Sequence, residues 1–508
     1  MADFDSFWTD DKSDMPQETP ECCEIWLCDD ETRNSFSHFI TYANSLNLEY
    51  NHTAKLYFPE RTVVLAKINR DLFHQLLSYV GTITECRLAR QPADFFTDLQ
   101  PCEQVDWVKN FLEHTVFVSN PSVSICILDS GVNNAHRLLA PVLKDDDMHT
   151  ADSTWGKYDH LGHGTGMAGV AAYGNLAELL STTQDVTIKH CLESCKIFAP
   201  QNDLSPQLYG LVTVDAVTQA KNSAPSRKRQ VCMAVTAPSP FAERGEPTSW
   251  SAAIDSLAVG VEGDTKYLIL LSAGNIPQDE YSRYPDANLT QMIEDPAQSW
   301  NALTVGAYTE LDQVDDYEVL ASKGQLSPFS RTSAMWESKW PAKPEVVFEG
   351  GNIAKDASGN CFTHESLSVL TSAHQVTRHQ FSPFNATSAA TAEAAWFAAQ
   401  IQERYPELWP ETVRGLIVHS AEWSPAMKRQ FAPSGTKSEN ARLRRICGYG
   451  VPSLERALHC MDNTLVLVAE RELQPYRYYD TIEAKFKDGY ANAFIQTAMA
   501  YRSTGGTW

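Results

Sequence analysis

Four short stretches carry side chains suited to nucleophilic and acid–base chemistry: ILDSGVN at 127–133, GHGTGMAG at 162–169, LLSAGN at 270–275 and NATSAATAEAA at 385–395. In chain order they offer a carboxylate (Asp129), an imidazole (His163), an amide donor (Asn275) and a hydroxyl (Ser388). A serine hydroxyl is a weak nucleophile until a neighbouring base takes its proton, and a carboxylate behind that base fixes its tautomer. The oxyanion that follows attack needs hydrogen-bond donors, which a side-chain amide can supply. The set is therefore the inventory of a serine hydrolase. Each member alone has a plainer reading. Asp129 could be a turn or cap residue, and His163 could sit by chance in a glycine-rich turn, with His160 as a competing base. Asn275 could close a turn after Gly274, and Ser388 could be an ordinary helix N-cap. Only the combination is specific.

The surrounding sequence supplies elements to hold these groups. Short apolar runs (SVSICIL, CKIFAP, QVCMAV, KYLILLSAG, ALTVGAY) alternate with helix-like runs (GTGMAGVAAYG, SPQLYGLVTVDAVTQAKNS, SWSAAIDSLAVGV and the alanine-rich 387–404). Near-continuous apolar strands between helices predict an α/β fold, a parallel sheet covered on both faces. Open sheets of this class carry functional groups at the carboxyl ends of their strands, where Asp129 and Asn275 fall. Upstream, 21–92 reads β-α-β-β-α-β, a ferredoxin-like α+β unit. The expected organisation is a disordered acidic tail over 1–20, the α+β domain over 21–100, a linker helix over 101–121, the main α/β domain over 122–458 and a strand-containing extension over 459–508.

The order Asp, His, Asn, Ser, in these motifs, resembles the subtilases, the subtilisin-like serine peptidases, in their intracellular bacterial form. SPFSRTS at 327–333, KPEVVFEGG at 343–351 and GYGVPSLERAL at 448–458 are similar to further segments of that family. The resemblance implies a subtilisin-like parallel sheet. It also implies roles: Asp129 supports His163, His163 deprotonates Ser388, and Asn275 with the Ser388 N–H holds the oxyanion. It places Val235, Thr236, Ala237, Ser272, Ala273 and Gly274 beside an added substrate strand. It likens the 21–92 unit to the family's prodomain, with self-cleavage between 92 and 115, and suggests an AAA-type ATPase as a partner. Departures stand beside the matches. Ala386 replaces the family's glycine before Thr387-Ser388, a strain of about 1 kcal/mol if that backbone is left-handed. Gly166 replaces a second histidine, and VTAPSP replaces the usual substrate wall. No family calcium loop can be matched; Asp145–Asp147 could bind an ion such as calcium, but an acidic surface run is the better reading. No cofactor or metal is expected.

Composition narrows the setting. The 508 residues carry a net charge of −23, which argues against nucleic acid or an anionic membrane as the main partner. The acidic start MADFDSFWTDDKSDMPQETPE is not a secretory signal, and no apolar run is long enough to span a bilayer. The expectation is a cytoplasmic protein with reduced thiols among its 12 cysteines. The functional expectation is a serine endopeptidase acting on proteins or peptides. A catalytically silent peptide- or partner-binding protein on the same scaffold is the alternative. An α/β-hydrolase esterase fails on chain order and on the absence of a Gly-x-Ser-x-Gly elbow at Ser388.

Overall fold

The computed structural model describes residues 6–9, 15–17, 20–29, 34–58, 61–88, 93–181, 185–199, 208–261, 265–314 and 316–459, with short strands at 466–470, 472–473, 495–496 and 499–502. The chain divides into two compact units: residues 1–91 with 113–115 and 177–186, and the remainder.

The first unit is a four-stranded antiparallel sheet, β1 (Glu21–Cys28), β2 (Tyr50–Phe58), β3 (Arg61–Ile68) and β4 (Ile83–Leu88), in the order β2-β3-β1-β4, with helices α1 (Ser35–Ser45) and α2 (Arg70–Tyr79). This is the β-α-β-β-α-β order read from the sequence. Alternation along β1 buries Cys23, Ile25 and Leu27, the signature of a sheet with one covered face. Phe39 and Ala43 of α1 and Phe73 and Leu76 of α2 fill that core. Trp8 and Met15, inside the stretch expected to be a disordered tail, are buried in the same core. Their large apolar side chains gain more from burial than an acidic composition suggests.

The second unit takes in residues 92–112 as well as 116–176 and 187–508. It opens with α3 (Ala93–Thr97) and α4 (Pro101–Glu113, of which residues up to 112 belong here). Its sheet comprises β5 (Val123–Asp129), β6 (Met148–Thr150), β7 (Cys191–Lys196), β8 (Lys228–Met233), β9 (Leu268–Ser272), β10 (Leu303–Thr309), β11 (Gln325–Leu326) and β12 (Val346–Glu349). The order is β11-β10-β9-β8-β5-β7-β6, with β12 also on β10, and every pairing is parallel except that of β11. β5 and β9 are buried along their whole lengths, as strands covered on both faces must be. Two helices matter for the site. α5 (His163–Tyr173) is glycine- and alanine-rich and buried after its first residue. α6 (Ala386–Arg404) is buried nearly all round and packs against α5 and under the sheet. The hairpin of β13 (Val369–Ser372) and β14 (Phe381–Phe384) delivers the chain to α6.

Candidate active site

Asp129 is the last residue of β5, His163 the first of α5, and Ser388 lies in the first turn of α6. Three distant elements thus bring the three side chains into one line. His163 Nδ1 lies 2.9 Å from both Asp129 carboxylate oxygens, and its Nε2 lies 3.0 Å from Ser388 Oγ. An ionised carboxylate only accepts, so Nδ1 carries the proton and Nε2 presents a lone pair to the hydroxyl. Asp129 is 1% exposed and Ser388 4%. His160 is exposed and takes no part. Close approach of α5 to β5 requires glycine at 164, where a Cβ would stand 2.1 Å from the Gly131 carbonyl oxygen.

Burial opposes the charged form of His163, but the Asp129 charge, its hydrogen bond and the Asp159 charge outweigh it, and the imidazole is held above its ordinary 6.5. Asp159 escaped the sequence reading. Its Oδ1 accepts from Ser130 Oγ and from the Leu161 and Gly162 amides, and its Oδ2 accepts from the Thr165 amide and hydroxyl. It therefore caps the turn that presents His163. The signal available was an acidic residue four positions before the histidine, at a helix start. Buried Lys196 pins the preceding loop by donating to the Tyr158 carbonyl at 2.8 Å and more weakly to that of Trp155.

Asn275 is exposed and aimed by its other end: its Oδ1 accepts from the Thr387 amide at 3.0 Å and hydroxyl at 2.7 Å. Its NH₂ has no protein partner among the described residues. Neither has the Ser388 amide, one of the first-turn donors that a helix leaves unpaired. Asn275 is thus tied to Thr387, next to Ser388 in the first turn of α6. Asn275→Ala is expected to lower kcat by about 10²–10³-fold, about 2.7–4 kcal/mol of barrier, with a small change in KM. Steady-state kinetics on one peptide checks this; a loss confined to KM would remove Asn275 from the chemistry.

Ala386 has φ +68°, the left-handed backbone that the missing glycine foreshadowed. The strain is about 1–2 kcal/mol. The Ala386 side chain also packs with Ile276, Phe329 and Ile353, and its methyl is worth about 0.8 kcal/mol when buried. Glycine would further add about 0.5–1 kcal/mol of unfolded-state entropy. These terms nearly cancel, so Ala386→Gly should leave stability within about 1 kcal/mol in denaturant titration; a larger gain would mean that the methyl contributes no packing.

Helix α3, expected within the 21–100 domain, and α4, expected as linker, brace the same elements. Gln104, fully buried, accepts from the Gln380 and Phe381 amides and donates to the Thr97 and Leu99 carbonyls. Phe96 packs on Phe381, and Phe111 on Tyr173 at the end of α5. Phe384, also unforeseen, lies edge-on to the His163 ring at 5.4 Å. Asp147 is tied to Arg227, and Asp145 to Asn134.

Of the residues expected beside a substrate strand, Val235, Thr236 and Ala237 are half-buried, whereas Ser272, Ala273 and Gly274 are buried. Ala273 is bonded on both sides, its amide to Val305 and its carbonyl to the Glu294 amide.

A family model for the subtilases matches residues 120–450, spanning all four motif stretches. The chain belongs to the subtilase family. An uncharacterized protein of Sinorhizobium fredii, y4bN, is 28% identical over 283 residues, 51% of this subtilase and 63% of the relative. This chain thus matches less than two thirds of that relative's length. Solved structures resembling it include the epidermin leader peptide processing serine protease of Staphylococcus aureus (14% identity, 87% of this chain and 99% of that one, TM-score 0.43). Sphericase is another (17% identity, 60% and 84%, TM-score 0.40). The parallel-dominated α/β architecture of this subtilase is that of its family. No helix among the described residues is long and apolar enough to cross a membrane.

Proposed function

We propose that this subtilase is a serine endopeptidase that cleaves proteins or peptides through an acyl-enzyme. The observation that carries this reading is the unbroken line Asp129–His163–Ser388, with contacts of 2.9 and 3.0 Å. Ser388 Oγ attacks the scissile carbonyl carbon while its proton passes to His163 Nε2. Asp129 stabilises the resulting imidazolium through Nδ1–H. The Asn275 NH₂ and the Ser388 amide receive the oxyanion. His163 then hands its proton to the leaving amine, and water repeats the sequence on the acyl-enzyme. We further propose that the four-stranded N-terminal unit regulates the peptidase. Its β-α-β-β-α-β topology supports that part alone.

Reaction with a fluorophosphonate probe tests the chemistry. Full-length protein should be labelled, and Ser388→Ala should not. Labelling that persists in the alanine variant would remove Ser388 from the role.

A further inference from the structure

A carboxylate that no motif announced stands between the two stretches expected to wall the substrate. Residues 294–295 are stitched to both: the Glu294 amide donates to the Ala273 carbonyl at 3.2 Å, and Asp295 exchanges both backbone bonds with Ala237, at 2.8 and 3.1 Å. The Glu294 side chain accepts from the Thr236 hydroxyl at 2.5 Å and pairs with Arg331 at 3.1 Å. It lies flat against Gly274, where a Cβ would come within 2.6 Å of its Oε2 and 2.9 Å of its Cδ. Arg331 also donates through Nε to the Asn275 carbonyl at 2.8 Å, linking this carboxylate to the residue that carries the amide donor. The Glu294 and Arg331 side chains are 14% and 10% exposed, so the pair is mostly desolvated yet reachable.

We propose that Glu294, held by Arg331, is the specificity-determining residue of the cleft. It selects substrates whose residue on the acyl side of the scissile bond is small or bears an uncharged hydrogen-bonding side chain. This inference rests on the serine-peptidase reading of the site. Asn275 and Ser388 fix where the scissile carbonyl oxygen lies, and Gly274 immediately precedes Asn275. With the substrate added as a strand beside 235–237 and 272–274, the side chain next to that carbonyl falls at the gap between Gly274 and Thr236, which the carboxylate closes. A bulky apolar group there would strip water from an ion pair and return no hydrogen bond. An acidic group would meet Glu294 itself. A basic group would bring a second cation to a carboxylate already matched by Arg331. A small side chain leaves the pair hydrated, and a neutral donor can use the acceptor capacity that Thr236 and Arg331 leave open.

Retention of product-like pentapeptide acids on immobilised full-length Ser388→Ala tests this without turnover. The pools are randomised at four positions and fixed at the last as Ala, Ser, Asn, Leu, Phe, Lys or Asp. Pools ending in Ala, Ser or Asn should be retained at least about tenfold better than those ending in Leu, Phe, Lys or Asp. Adding Glu294→Gln keeps the shape but leaves the Arg331 charge unmatched, so the Asp pool should gain at least about tenfold. Equal retention of all pools, retention of none, or a ranking unmoved by Glu294→Gln overturns the proposal. Fluorophosphonate labelling of the unsubstituted protein judges the peptidase reading separately. Labelling with a flat ranking overturns this inference alone; no labelling, whatever the ranking, overturns the peptidase reading on which it rests.

Discussion

Exchange of Ser388 for alanine is expected to lower kcat by about 10⁶-fold, and removal of His163 from that variant to cost almost nothing more. In the proposed mechanism the two side chains act as one unit. Nε2 lies 3.0 Å from Oγ and serves by taking the hydroxyl proton; once Oγ is gone, the imidazole has nothing to deprotonate. A loss of that size is about 8 kcal/mol of barrier at 1.36 kcal/mol per tenfold. It exceeds any contribution of a surface contact, and it leaves the Asn275 and Ser388 amide donors able to polarise a bound carbonyl towards water. Rates for wild type, Ser388→Ala, His163→Ala and the double variant, followed by mass spectrometry on one peptide, give the cycle. If the two losses multiplied, hydroxyl and imidazole would be working on separate steps, and the line of contacts would not be the reaction path. Intact far-ultraviolet circular dichroism in each variant keeps misfolding out of the comparison.

The groups that the sequence made legible sit where local rules fix them. Asp129 and Asn275 follow continuously apolar strands, and His163 and Ser388 open helices of small residues. Strand ends and helix starts can be read from a window of ten residues. The split βαβ unit was legible for the same reason, since alternation along β1 and helical spacing in α1 are local. The left-handed backbone at Ala386 was foreshadowed because a glycine is missing from an otherwise matching motif. What stayed hidden depends on partners far along the chain. Glu294 acquires meaning only from Thr236, 58 positions before it, and from Arg331. Gln104 looks like any polar helix residue until its side-chain oxygen meets two amides of a hairpin 276 and 277 positions away. The bracing part that α4 plays was hidden on the same point. The period of α4 announces a helix but not what its buried Val108 and Phe111 pack upon. Asp159 lies between these cases: its position was readable, its five hydrogen bonds were not.

Asp129→Asn should lower kcat by about 10⁴-fold while leaving the fold intact, because it reverses one proton. Asp129 Oδ1 also accepts from the Ser130 amide at 2.7 Å. In the variant that amide keeps the carboxamide oxygen on its side, so the NH₂ takes the place of Oδ2; Nδ1, 2.9 Å from both positions, then meets a donor as well as a neutral acceptor. The neutral oxygen already serves the Ser130 amide, whereas the NH₂ can bond only a lone pair on Nδ1; the proton therefore favours Nε2, and the lone pair that Ser388 needs is gone. The pH dependence carries a second signature of the same contact. His163 must be neutral to act as a base, so activity falls as acid protonates it. In the unsubstituted protein burial favours the neutral ring, but the Asp129 charge and hydrogen bond, with the Asp159 charge, hold the imidazole above 6.5. The acid limb of kcat/KM should therefore lie above 6.5. Removing the Asp129 charge leaves burial opposed chiefly by Asp159, so the limb should move to lower pH while the plateau drops. Profiles of kcat/KM between pH 4 and 9 for both proteins decide it. A limb that stays in place, or rises, would mean that the titrating group is not His163.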